Sequence, residues 1–340
     1  MPAARDHFSA LDRSFREAHR LAKQLLRREF RPQDPGIARL MSFILRKQDA
    51  SEYPFVFRYS FCRKESDGRR VGRLAAAVHL LQSSTFITDD IFDNASRRYG
   101  QPAVHVRYGV PFAILGTELV QSVALKVIFE ELERGRFRNP LEVSRTLNQI
   151  VLDLYRGQYR DVASTGDLKV SRREYDRIIA LGGGNFFAKV ARCGALLAGK
   201  SRREAASLER YGYHYGMALF ITDDMVDLLQ PPAVTGKGFA ADLKNRRMRL
   251  PLMLGLKMAG PRDAALLRRL YRKARPEARE VRRAVRILRA SGALLACRRI
   301  AERHLSHALR ALRGLPRGTP VARLRWLAES LMPAQGLEDL

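Results

Sequence analysis

Acidic residues are scarce in this chain: 35 Asp and Glu face 62 Lys and Arg in 340 residues, a formal net charge of +27. Also missing is an unbroken apolar run of the roughly 18 residues that a bilayer span needs. The first twenty residues, MPAARDHFSALDRSFREAHR, are charged throughout and lack the apolar stretch of a secretory signal, so a cytoplasmic address is expected. The three cysteines, Cys62, Cys193 and Cys297, stand far apart and fit no metal spacing, which argues against a disulfide frame or a zinc site. Strand-like alternation between tight turns is hard to find, and no low-complexity linker divides the chain.

Helical periodicity fills the space these absences leave. Leu74, Val78, Leu81 and Thr85 follow the 4, 3, 4 steps of a buried helix face. Segments 113–133, 141–164, 172–199, 202–229, 247–259, 262–274, 277–311 and 319–332 read the same way, with Gly and Pro breakers between them. One all-α domain over 1–340 is expected. The basic excess crowds into stretches such as Arg268–Ala290. No helix-turn-helix, RNA-binding motif or aromatic-interleaved basic loop accompanies it, so nucleic acid is not the expected partner. A solvated Arg-rich face explains it most simply, with peripheral membrane-surface contact or polyanion attraction next.

Against this background the few acids cluster. Phe-Ile-Thr-Asp-Asp-Ile-Phe-Asp at 86–93 recurs as Phe-Ile-Thr-Asp-Asp-Met-Val-Asp at 220–227. On a helix Gln82, Phe86, Asp89 and Asp93 share one stripe, and Gly216, Phe220, Asp223 and Asp227 share another. Asp90 and Asp224 lie alongside. Three carboxylates at a helix C-terminus oppose the macrodipole unless a cation binds there. The EF-hand spacing and its glycine are missing, whereas Mg²⁺ needs few carboxylates because it keeps waters and bridges to phosphate. Two such clusters could hold Mg²⁺ around one diphosphate and neutralise the charge that builds as its C–O bond breaks.

At these residues the chain resembles the trans-isoprenyl diphosphate synthase (polyprenyl synthetase) family. The first motif is followed by Arg98, Gly100-Gln-Pro102 and His105, similar to that family's RRGxPxxH. Gly157-Gln158-Tyr-Arg-Asp161 resembles its GQxxD, and Gly194–Gly199 matches as well. Gly236-Lys237, Asp242-Leu243, Arg247 and Leu250-Pro251 resemble its GKxxGxDLxxGKxTLP. The resemblance implies an isoprenoid-synthase helical barrel with a central cavity and about three Mg²⁺ ions held by the six aspartates. It further implies an allylic isoprenoid diphosphate substrate bound by Arg98, Gln158, Lys237 and Arg247, and a homodimer.

Departures from the family pattern bear on the reaction. The GGKxxRP motif that holds isopentenyl diphosphate aligns on Pro54, which puts Ala50 and Tyr53 on its Lys and Arg. Tyr99 stands for a further Arg, and only Gln82 remains. On the allylic side the Lys-Thr pair becomes Gly182-Gly183, and Phe220 replaces a Gln. An acceptor site short of three cations makes intramolecular cyclisation, as in terpene synthases on this scaffold, the leading expectation. The alternatives are a chain-elongating synthase, its acceptor site rebuilt from Lys47, Arg58, Arg63 or Lys64, and a non-catalytic regulatory subunit. Gln82, Ser84, Thr85, Phe86, Tyr99, Phe187 and Phe220 are expected to line the cavity, with Tyr155 and Phe186 as further candidates. Ser84 and Thr85, small residues just before the first motif, would admit a tail as long as C20.

Overall fold

Local signals start the helices where the periodicity places them. Pro at the first turn begins five of them, and the Ser171 hydroxyl accepts the Glu174 N–H at 3.1 Å to cap another. The computed structural model describes residues 2–30, 34–46, 51–229, 239–273 and 276–334. The helices are α1 (Pro2–Glu29), α2 (Pro35–Ile44), α3 (Glu52–Phe61), α4 (Gly72–Phe92), α5 (Val104–Tyr108), α6 (Val110–Arg134), α7 (Pro140–Ala163) and α8 (Arg172–Ile179). They continue as α9 (Asn185–Leu197), α10 (Arg202–Leu229), α11 (Ala241–Lys244), α12 (Leu250–Met258), α13 (Pro261–Arg272), α14 (Ala278–Ala290), α15 (Ala293–Leu312) and α16 (Thr319–Ala334). The architecture is all-α.

Three boundaries differ from the periodicity. The helix expected over 277–311 breaks into α14 and α15 because Gly292 takes φ 75°, a left-handed conformation that ends the first helix. The segment expected over 172–199 is interrupted at Ala180–Gly184 by a π-helical turn, which three successive glycines permit. A two-residue hairpin, β1 (Arg97–Arg98) against β2 (Gln101–Pro102), turns through Tyr99 (φ 51°) and Gly100 (φ 73°), the sign pair of a tight hairpin turn. The first motif's last aspartate is thereby followed at once by a rigid corner.

By length and composition α6 is apolar enough to cross a bilayer, against the expectation that no segment would be. It lies beside α4, with Val123, Ala124, Val127 and Ile128 in the core and Glu118 and Lys126 exposed.

α10 runs through the middle, against α9 on one side and α15 on the other. Its approach to α9 depends on Gly212 and Gly216, one turn apart. A Cβ on Gly212 would meet the Phe187 carbonyl oxygen at 2.3 Å, and one on Gly216 would meet the Gly184 Cα at 2.9 Å. Any side chain there would force the helices apart, and Asp223 and Asp224 further along α10 would move with them.

Candidate active site

The C-terminal ends of α4 and α10 open onto one cavity of about 210 Å³. Its walls take Gln82, Thr85, Phe86, Thr88, Asp89 and Asp93 from α4, and Phe220, Asp223 and Asp224 from α10. α7 adds Leu154, Tyr155, Gln158 and Asp161, and Tyr53, Phe186, Asp242 and Arg249 complete the polar and aromatic lining. The helical stripe Gln82–Phe86–Asp89–Asp93 thus faces inward along its whole length. A larger groove of about 900 Å³ runs between α7 and α8 and shares Tyr155 with this cavity. The clustered carboxylates line the smaller space, so the chemistry is placed there.

The six motif aspartates do not act alike. Asp89, Asp93 and Asp223 reach the cavity, and hard oxygen donors shared between two helix ends suit Mg²⁺, which takes one or two carboxylates per ion and completes its shell with water and phosphate. Asp90 is 2% exposed and turned away. Arg98, delivered by the hairpin, clamps it with Nη2 at 2.6 Å and Nε at 3.0 Å, and stacks 4.9 Å from the centre of the Phe86 ring. Asp227 accepts the Ala241 and Asp242 backbone N–H groups at 2.9 and 3.2 Å, which caps α11. Asp224 lines the cavity but is held by the Tyr175 hydroxyl at 2.6 Å, and burial pushes its carboxyl well above the ordinary range.

Several side chains are therefore not where the sequence suggested. Arg98 faces Asp90 in a small adjoining pocket with Tyr99 and is not among the residues that line the cavity. Arg247 is 3% exposed and off the cavity wall. Its guanidinium donates to the Asp161 carbonyl and the Thr165 hydroxyl, both at 2.8 Å, and reaches Asp93 at 3.2 Å, tying the ends of α4 and α7 together. Ser84 is fully buried, its hydroxyl donating to the Leu81 carbonyl, and Phe187 is fully buried against Tyr53; neither lines the cavity. Thr85, Phe86, Gln82, Gln158 and Phe220 do. Lys237 lies outside the described residues, as do Ala50 and Lys47.

Among the described residues, the cation that lines the cavity is Arg249. It donates to both Asp161 oxygens, at 2.6 and 3.1 Å, and its Nε lies 3.2 Å from Asp242 and 3.8 Å from Asp224. Three carboxylates around one guanidinium hold it in place at the cavity wall. Arg249 was not anticipated, although it stands where the family motif carries Thr. Asp161 and Asp242 were both legible within quoted motifs.

Phe220 and the glycines opposite form one feature. A Cβ on Gly183 would lie 1.8 Å from the Phe220 ring, so the ring occupies the space a side chain at 183 would need. An aromatic wall thus stands where the family pattern carries polar side chains. At the other side, Tyr53 stacks on Phe187 with ring centres 3.8 Å apart, worth roughly 0.5–1.5 kcal/mol beyond area burial. Beside it, burial raises the Glu52 carboxyl to about 7, and the Asp223 charge adds to the rise. The position therefore presents an aromatic ring and an acid.

A family model described as polyprenyl synthetase matches residues 54–288, more than half of the chain. A "Short chain isoprenyl diphosphate synthase" of Methanothermobacter thermautotrophicus is 30% identical over 190 residues, which span 56% of this chain and 58% of that protein. A "Geranylgeranyl diphosphate synthase" of Mycobacterium tuberculosis is 29% identical over 242 residues, 70% of this chain and 67% of that one. In three dimensions the chain superposes on the Corynebacterium glutamicum geranylgeranyl pyrophosphate synthase "complexed with isoprenyl diphosphate and magnesium". That superposition has a TM-score of 0.84 at 20% identity and covers 94% of this chain and 98% of the other. The chain belongs to the polyprenyl synthetase family.

Proposed function

We propose that the chain is a magnesium-dependent prenyltransferase that joins an allylic isoprenoid diphosphate to isopentenyl diphosphate. The observation that carries this reading is the shared cavity at the ends of α4 and α10, with Asp89 and Asp93 from one helix and Asp223 from the other. Bound Mg²⁺ would supply charge neutralisation for the departing diphosphate. Around it, Arg249 and Gln158 present donors to phosphate oxygens, and Phe86, Phe220, Tyr53 and Tyr155 exclude water and offer π faces to a developing allylic cation. The C–O bond breaks, a C–C bond forms to the acceptor double bond, and the proton lost from the acceptor leaves with the diphosphate. The relatives named above are chain-elongating synthases, which favours transfer over the cyclisation that led the expectations from sequence.

Cyclisation remains as a second reading because Tyr53 and Tyr99 offer no cation where the family pattern has one, and Glu52 adds an acid beside Tyr53. The test is the purified chain with Mg²⁺ and C10, C15 or C20 allylic diphosphate, with and without isopentenyl diphosphate. Longer diphosphates made only with the acceptor support transfer, and hydrocarbon made without it supports cyclisation. The cavity of about 210 Å³ is below the roughly 300–1,000 Å³ of ordinary ligand sites, so a C20 tail would have to displace side chains.

A homodimer is proposed from the outer face of α6, where Val110, Phe112, Ile114, Leu115 and Phe129 stand exposed together with Leu152 of α7. One buried apolar cluster reaching from Ala10 to Met332 supports the single-domain organisation over 1–340.

A further inference from the structure

At the end of α10 far from the aspartates, a second cavity of about 320 Å³ opens between α10 and α15. Arg203, Ser207, Arg210 and His214 line it from α10, and His307 and Arg310 from α15; no carboxylate does. Residues 203–214 precede Asp223 by 9 to 20 positions, which sets this pocket about 14–30 Å along the helix axis from the motif. The two cavities share no residue.

An Arg-rich solvated face is the simple account of such a cluster; what sets this one apart is that its arginines line one cavity together. Arg160, Arg172, Arg192 and Arg298 each sit on a carboxylate at 2.7–2.8 Å. Arg203, Arg210 and Arg310 have no carboxylate within 4.0 Å among the described residues, although Glu204 and Glu209 are close in sequence. Those two acids are engaged elsewhere, Glu209 by Arg192 and Glu204 by Ser201. At the floor, Ser207 is 7% exposed and accepts from Arg210 at 3.0 Å. His214 approaches His304 at 3.0 Å and stacks on His307. Burial first, and then the charges of His304, His307, Arg310 and Arg210, lower its ring to about 4.

We propose that this pocket binds a phosphate-bearing anion, through the guanidinium forks of Arg203, Arg210 and Arg310 and the imidazole of His307. Planar forks suit the oxygens of a phosphate or diphosphate group, and the volume admits such a head group. The same chemistry comes from a free phosphate compound or from a phospholipid head group.

The seven histidines of the chain provide a selective readout, because none of them lines the aspartate cavity. The full chain, labelled at its imidazoles, is titrated with inorganic diphosphate in EDTA, which strips divalent ions from the aspartates. In parallel it is sedimented with phosphatidylcholine vesicles with and without phosphatidic acid. Arg210→Gln/Arg310→Gln, two exposed positions, is the control variant. Saturable movement of the His214 and His307 signals, weakened at least about tenfold in the variant, supports the site with a free anion as its source. Phosphatidic acid-dependent sedimentation that the variant loses, with no movement by free diphosphate, supports it with a head group. Signals that stay still and sedimentation the variant leaves unchanged overturn the proposal, as do shifts of equal midpoint in both proteins.

Discussion

The contact between Gly183 and Phe220 makes a prediction with a change of sign. Adding a methyl group at Gly183 places a Cβ 1.8 Å from one ring atom and 2.4 Å from two others, so the ring must swing into the cavity. Overpacking of this kind costs about 1–3 kcal/mol. Gly183 has no left-handed φ to protect, and the three atoms nearest its Cβ position all belong to the Phe220 ring, so with the ring gone the same methyl group acts chiefly on the unfolded chain. There Gly→Ala should stabilise by about 0.4–1 kcal/mol. Gly183→Ala is therefore expected to destabilise the natural sequence and stabilise Phe220→Ala, a coupling of about 1.5–4 kcal/mol across the double-mutant cycle. Urea unfolding of the four proteins measures it. In the single variant the displaced ring also narrows the space beside Asp223, so KM for the allylic diphosphate should rise. An effect of Gly183→Ala that is the same in both backgrounds within about 0.5 kcal/mol would show that the two positions are independent.

Other consequences follow from the same geometry. Asp223→Ala should lower turnover by orders of magnitude while changing unfolding free energy by less than about 1 kcal/mol, since this side chain is exposed to the cavity; near-normal kcat would remove it from the metal site. Arg98→Ala should instead destabilise by about 3–5 kcal/mol, because it leaves Asp90 charged and buried, and a melting temperature equal to the parent's would refute that pairing. Thr85→Phe should shift substrate preference to shorter diphosphates, whereas Ser84→Phe should mainly destabilise, since Ser84 is fully buried; kinetics with C10 and C20 substrates separate the two. EDTA should silence turnover and excess Mg²⁺ should restore it, with activity that survives chelation counting against the proposed cofactor.

Much of the site can be read along the chain because it is written on helices. Asp89, Asp93 and Gln82 share a stripe by spacing alone, and the stripe faces the cavity in three dimensions because an α-helix fixes the direction of each side chain whatever packs around it. The all-α class and most helix bounds follow from the same local rule, and Gly292 and the 182–184 glycines show where backbone freedom breaks it.

Which of the aspartates remain available was decided by tertiary structure. Asp90 and Asp89 are neighbours with the same chemistry, yet one is clamped by an arginine eight residues away across a hairpin and the other lines the cavity. Arg249 takes the place expected of Arg247 for a similar reason: the turn before α12 sends the Arg247 side chain into the gap between α4 and α7 and the Arg249 side chain into the carboxylate ring. A charge has no preferred partner in sequence. Its partner is whichever opposite charge the fold desolvates beside it, and long-range packing alone determines that.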